Sequence, residues 1–208
     1  MIKGSGLILR DSTRNPPKVR KFLASHGNDF ITSITLVRTP LAKTTKWALD
    51  LASGGGLKQA LKDIGTEELF HLSMVINGKY TLEKNEVVNL ATHGKIPSNA
   101  ETLNIPVKKQ ITFNELIEKT MKKMGDKYGP YDAENNNCSV FIDNVLHANG
   151  LHTGNSNTFL HQKTEQLFKK FPALTKIITN AVTTAGAVVD RAIQGEGVKR
   201  KRKKKLVK

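Results

Sequence analysis

Cysteine is nearly absent from this sequence, and so is any sign of secretion. Cys138 is the only cysteine among 208 residues, so no disulfide bond can form within the chain. The N-terminal segment does not combine a basic start, an apolar run and a small-residue cleavage site, which together mark a signal peptide. These two absences predict an intracellular protein whose thiol stays reduced.

Long apolar runs and cofactor motifs are absent too. The chain has no 18 consecutive apolar residues, so no transmembrane helix is predicted. No glycine-rich loop is followed by the lysine and serine or threonine of a phosphate-binding motif. One cysteine and six scattered histidines show no spacing typical of a zinc site. We therefore expect no metal and no cofactor.

Positive charge is abundant but unevenly distributed. The net charge is +15, and residues 199–208 carry eight of these charges, which leaves +7 for the first 198 residues. A run of seven basic residues fits a nuclear localisation signal, a nucleic-acid contact or an anchor for acidic lipids. Because no aromatic residue interrupts the run to stack on bases, we favour an import receptor as its partner and a nuclear location. The run consists of Lys199, Arg200, Lys201, Arg202, Lys203, Lys204 and Lys205.

An apolar stripe precedes this basic tail, which we place at residues 196–208. Between residues 174 and 193, apolar residues recur at spacings of three and four, which predicts an amphipathic helix over residues 173–195. Its apolar face must be covered by the domain, a partner or a peripheral membrane surface. The stripe is rich in alanine, valine and threonine and lacks tryptophan and phenylalanine, so docking onto protein is favoured over lipid.

The composition of residues 1–29 predicts a flexible basic arm. A single domain is expected to follow over residues 30–172. The arm mixes glycine, proline and basic residues, with room for a short helix around residues 19–23. The apolar stretch 30–37 leads to Pro40, which suits the first turn of a following helix. A second short helix is expected at residues 57–64.

The middle of the domain predicts a β-hairpin followed by two helices. Apolar runs at 69–76 and 79–90 flank Asn77-Gly78, a strong hairpin signal. A further short strand is compatible with residues 105–107, and Thr112 is a suitable N-cap for a helix that ends at Gly125. Another helix begins near Cys138 and closes at residues 149–150. This order indicates an α+β fold with a small antiparallel sheet packed against helices.

Cys138 lies in the stretch ENNNCSVF, at the start of that last helix. The partial positive charge of a helix N-terminus favours a thiolate, which is the nucleophilic form of cysteine. The N–H groups there, together with the amide of Asn136 or Asn137, are candidates to stabilise an oxyanion. The alternative is structural, because free cysteine is among the most buried residue types.

A nucleophilic cysteine needs a base, and His71 is the best candidate. It lies within a predicted strand that is otherwise apolar, where a polar side chain requires a partner. A lone histidine in a strand is by itself more often a structural residue.

The segments LFHLSMVI, with His71, and NNNCSVFIDNVL, with Cys138, together resemble the NlpC-type peptidase and lecithin:retinol acyltransferase superfamily. In its circularly permuted papain-like form, a histidine on a hairpin strand precedes a cysteine that begins a helix. The resemblance implies that Cys138 is the nucleophile and His71 the base of an acyl transfer. The implied reaction transfers or hydrolyses an ester, amide or isopeptide through a thioester, with an acyl-containing lipid or protein as substrate. Viral proteins share this arrangement.

That family usually orients its histidine with a third polar residue on the adjoining strand. A two-residue Asn77-Gly78 turn would place Lys84 opposite His71, whereas a longer loop places Asn85 there. Lysine is a poor partner for imidazole, so we predict the longer loop and Asn85, with Glu83 as the second choice.

A nonenzymatic role is the competing interpretation. The same fold could serve packing alone, in a structural or interaction protein such as a minor virion component. Its basic tail would then bind nucleic acid or mediate nuclear import.

Overall fold

The computed structural model describes residues 14–41, 46, 49–51, 53–63, 68–132, 134–160 and 171. These residues form an α+β fold, as predicted, built on a five-stranded antiparallel sheet with the strand order β4-β3-β2-β1-β5. The strands are β1 Ile34–Pro40, β2 Phe70–Ile76, β3 Tyr80–Lys84, β4 Val88–Ala91 and β5 Glu101–Ile105.

Helices pack against this sheet and close the core. Helix α3 packs against α4, which in turn packs against β2 and β3, while α1 packs against β4. The apolar side chains between them are almost fully buried, including Leu36, Leu72, Met74, Leu82, Phe113 and Phe141. The helices are α1 Pro17–His26, α2 Leu57–Asp63, α3 Phe113–Met124, α4 Cys138–Ala148 and α5 Gly154–Leu160, with a 3-10 turn at Gly125–Lys127 after α3.

The hairpin between β2 and β3 turns through three residues, 77–79, so the longer loop is confirmed. Asn77 and Gly78 both have positive φ, at 54° and 63°, a conformation that asparagine and glycine tolerate best. The predicted second strand at 79–90 is wrong in one respect. It is broken at residues 85–87, which turn the chain back so that β4 pairs with β3.

Polar side chains cap the N-termini of α3 and α4. Thr112 accepts a hydrogen bond from the Glu115 N–H, and the Glu115 carboxylate accepts one from the Thr112 N–H, which makes a capping box. Asn137 caps α4 by accepting from the Val140 N–H. Both helix starts therefore lie where the sequence predicted them.

The expectation of a loose arm is wrong for α1. Val19 and Phe22 are buried in the core, and the Phe22 ring lies edge-on to Tyr80 and Phe113 at centroid distances of 5.0 and 5.1 Å. The short helix expected around residues 19–23 is confirmed, and it extends over Pro17–His26. Its packing in the core was not expected, because its two buried apolar residues lie in a basic segment. Residues 1–13 of the predicted arm lie outside the described residues.

Pro40 does not begin a helix. It is the last residue of β1 and lies opposite Phe70 of β2, while the pairing of β1 with β5 has already ended at Arg38. Since proline has no N–H, it is tolerated at such a strand end.

The C-terminal predictions fall outside the described residues. They are the amphipathic helix at 173–195 and the basic tail at 196–208, and both stay predictions. Within the part of the chain that the structure describes, no helix is long and apolar enough to cross a membrane.

Replacing Phe22 with alanine tests whether α1 belongs to the core. We expect Phe22→Ala to lower the free energy of unfolding by about 3–5 kcal/mol, because it removes a buried ring and leaves a cavity. Lys21→Ala, at an exposed position of the same helix, should change it by less than about 0.5 kcal/mol. Urea unfolding curves measure both values, and equal effects of the two variants would contradict this packing.

Candidate active site

Cys138 is the first residue of α4, and its thiol is buried against the sheet. The backbone N–H groups of Leu72 and Ser139 point at its sulfur. The pairing of β2 with β3 ends at Ser73 and Glu83, so Leu72 lies just beyond the last pair. Strand β2, where it is no longer paired with β3, and the start of α4 therefore supply donors to the same sulfur.

His71 lies beside this thiol and is hydrogen-bonded to it. Its Nε2 is 2.9 Å from Oε2 of Glu83, which leaves Nδ1 as the ring nitrogen available to Cys138. The His71 side chain is 23% exposed and that of Glu83 is 14% exposed. The structure thus brings a thiol, an imidazole and a carboxylate into contact, in that order, at a partly buried site.

Glu83 is the residue that contacts the imidazole from the adjoining strand. The first choice for this third position, Asn85, is wrong. β3 ends at Lys84, so the chain has turned away before Asn85 can reach the imidazole. Asn85 instead donates its amide to Oε1 of Glu83 at 3.3 Å, and Asn89 of β4 donates to the same oxygen at 3.2 Å. These two amides orient the carboxylate, a role for Asn89 that the sequence did not reveal.

Lys84 lies on the opposite face of β3 from Glu83. Its side chain is fully buried, and Nζ donates to the carbonyl of Lys127 at 2.9 Å. Burial lowers the pKa of Lys84 to about 8. Lys84 is therefore a tether for the loop that precedes α4, and it takes no part in orienting His71.

The charges of these groups favour an ion pair of thiolate and imidazolium. Burial alone would lower the pKa of His71, but its hydrogen bonds and charge interactions with Cys138 and Glu83 outweigh burial and raise that pKa to about 10. Burial alone would raise the pKa of the Cys138 thiol, but His71 and the N–H groups of Leu72 and Ser139 lower it. In the same way, His71 and the two amides keep the pKa of Glu83 below its usual value.

The side chains of both asparagines expected to bind an oxyanion make hydrogen bonds to the backbone. The buried side-chain amide of Asn136 donates to the carbonyls of Lys127 and Pro130, each at 2.7 Å. Both of its N–H groups are thus used, so the oxyanion role predicted for Asn136 is wrong. The side-chain oxygen of Asn137 caps α4.

Tyr131 lies close enough to Cys138 for their charges to interact, and sequence reasoning did not single it out. Burial raises the pKa of its hydroxyl, and the nearby charges of Cys138 and Asp132 raise it further, so the phenol stays protonated. The sequence marked this residue only as part of a turn rich in aromatics. Its place before the asparagines was the one available signal.

No protein-family model, curated protein or solved structure significantly matches this chain. The resemblance to the NlpC-type and lecithin:retinol acyltransferase superfamily therefore stays a prediction. The basic residues 199–205 lie outside the described residues, so their predicted contacts stay predictions as well.

Replacing Glu83 tests which residue sustains the imidazolium. In Glu83→Gln, loss of the carboxylate charge should lower the pKa of His71 and so raise that of Cys138. The rate of iodoacetamide alkylation plotted against pH should then move to higher pH. Asn85→Ala is the matched control, and it should move the profile less because Asn89 still donates to Glu83. A larger shift in Asn85→Ala would contradict this assignment.

Removing the side chain of Asn136 tests its structural role. Asn136→Ala removes a buried side chain that donates to the carbonyls of Lys127 and Pro130, and we expect the free energy of unfolding to fall by about 1–3 kcal/mol. Asn135→Ala, at an exposed neighbouring position, should change it by less than about 0.5 kcal/mol. Unfolding curves that coincide for these two variants would show that Asn136 does not hold the loop.

Proposed function

We propose that this chain is a cysteine-dependent hydrolase or acyltransferase that acts on an ester, amide or isopeptide bond. The observation that carries the proposal is the contact chain from Cys138 through His71 to Glu83. A nucleophile, a base and a group that orients the base are the parts that covalent acyl transfer requires.

The proposed reaction begins with the thiolate of Cys138. Its sulfur bonds to the substrate carbonyl carbon, and the carbonyl oxygen takes the negative charge. The leaving group departs with the proton of the His71 imidazolium, which produces a thioester. Water or another acceptor then gives a proton to His71 and attacks the thioester carbon, which releases the product and restores the thiolate.

The start of α4 and Tyr131 offer candidate donors for the developing oxyanion. The N–H groups at the start of α4 carry the positive end of the helix dipole, and the Tyr131 hydroxyl is protonated nearby. Because both side-chain N–H groups of Asn136 donate to the backbone, we assign the oxyanion to the N–H groups at the start of α4 and to Tyr131.

The order of elements supports a permuted papain-like fold for this site. The histidine lies on β2, the carboxylate on the adjoining β3, and the cysteine follows at the start of α4. This is the order of the family that the sequence resembles, in which the histidine precedes the cysteine. We propose on this basis an acyl-containing lipid or protein as the substrate, without a cofactor.

Trapping the thioester tests this function. Wild-type protein is mixed with p-nitrophenyl acetate and quenched in acid, and the acetylated peptides are mapped by mass spectrometry. We expect acetyl transfer to Cys138, slowed by about 10²–10⁴-fold in His71→Ala, which lacks the base. His93→Ala, at an exposed position in the loop after β4, is the matched control and should acylate at the wild-type rate.

A different labelling pattern would contradict the proposal. Acylation confined to surface lysines, at a rate unchanged in Cys138→Ala, would mean that the thiol is structural. The nonenzymatic interpretation would then take the place of this proposal.

A further inference from the structure

A second cluster of polar side chains lies at the other end of α4. Asp143 and His147 belong to this helix, and His152 belongs to the loop that follows it. Oδ1 of Asp143 is 3.6 Å from Nε2 of His147 and 3.9 Å from Nε2 of His152. One ligand atom from each residue lies within 4.8 Å of the other two. The expectation that the histidines are scattered is therefore wrong for His147 and His152.

The helix terminus brings these residues together. Asp143 and His147 are four residues apart and so share one face of α4. Gly150 then takes a φ of 67°, and the N–H of Leu151 donates to the carbonyl of Leu146 at 2.9 Å, which makes a Schellman motif. This reversal places the ring of His152 on that of His147, with centroids 3.9 Å apart and planes 18° apart.

Two atoms of this cluster lack the partners that buried polar atoms normally have. Oδ1 of Asp143 and Nε2 of His152 are buried, and neither has a hydrogen-bond partner among the described residues. An unsatisfied buried polar atom costs about 1–3 kcal/mol and calls for an explanation. Both atoms point to the same small region, where a bound cation would satisfy them together.

The distances from the Asp143 oxygen to the two histidine nitrogens are close to those of a metal centre. A tetrahedral zinc ion with ligands at about 2.0–2.1 Å holds them about 3.4 Å apart. The separations of 3.6 and 3.9 Å exceed this by a few tenths of an ångström. The His147 side chain is 44% exposed, so its ring has room to rotate out of the stack and turn its nitrogen to the metal.

We propose that Asp143, His147 and His152 bind a divalent transition-metal ion of the zinc class. Two imidazoles and one carboxylate suit zinc, nickel, cobalt or copper better than magnesium or calcium, which prefer oxygen ligands. The metal would fasten the loop after α4 to the helix, with water in the fourth position. The Cys138 thiol is not a member of the cluster, so this site is independent of the proposed acyl transfer.

Calorimetric titration with zinc chloride tests the proposal on the untagged full-length chain. The Cys138→Ser variant serves as the parent protein, which removes the thiol as a competing ligand. We expect one equivalent of zinc to bind and to raise the unfolding temperature. Adding His147→Gln or His152→Gln should weaken binding by at least about tenfold. His93→Gln, at an exposed loop position, is the matched control and should leave the titration unchanged.

Cobalt provides a second measurement that does not depend on stability. Co²⁺ bound by nitrogen and oxygen ligands should show visible absorption without a sulfur charge-transfer band, and Asp143→Asn should reduce it. Absence of binding to the parent protein would overturn the proposal. So would zinc binding that is unaffected by His147→Gln and His152→Gln in variants whose circular dichroism shows a folded chain.

Discussion

The hydrogen bond between the Cys138 thiol and the His71 imidazole is the interaction on which the proposed chemistry depends. Burial opposes the charge on both groups, so an ion pair can persist here only if other contacts offset that desolvation. The protein provides such contacts to both the imidazolium and the thiolate. Glu83 supports the imidazolium, and the N–H groups of Leu72 and Ser139 support the thiolate. The contacts that stabilise the two charges thus come from three elements, β2, β3 and α4.

The fold explains why these contacts meet. The β2–β3 ladder ends at Ser73 and Glu83, and α4 begins at the opening that this leaves. Behind the site, Lys84 and Asn136 both donate to the carbonyl of Lys127, which ties β3 to the loop that leads into α4. The position of the thiol is therefore set by the sheet as well as by its own helix.

Local signals made much of the fold predictable. The Asn77-Gly78 turn, the Thr112 cap and the glycine after α4 each act within a few residues, so they can be read directly from the sequence. The apolar content of β2 and of one face of α4 indicated these two elements as well. A short helix around residues 19–23 was expected, but its place in the core was not, because Val19 and Phe22 lie among basic residues.

The candidate site was less predictable because its contacts are long-range. His71 and Cys138 were paired on the strength of a family resemblance, since nothing in their spacing requires them to meet. The choice between Asn85 and Glu83 depended on where β3 ends, which no local signal marked. Likewise, the carbonyls bound by Asn136 and the stacking of His147 on His152 follow from how the chain turns in three dimensions.

The most direct test of this account is the ultraviolet absorbance of the thiolate, followed against pH. The spectrum of Cys138→Ser is subtracted at each pH, and wild-type protein is compared with His71→Ala. The account predicts that wild-type thiolate persists well below the free-cysteine pKa of about 8.5 and is lost at neutral pH when His71 is removed. Thiolate that appears only above pH about 8.5 in both proteins would contradict the ion pair and leave Cys138 as a packing residue.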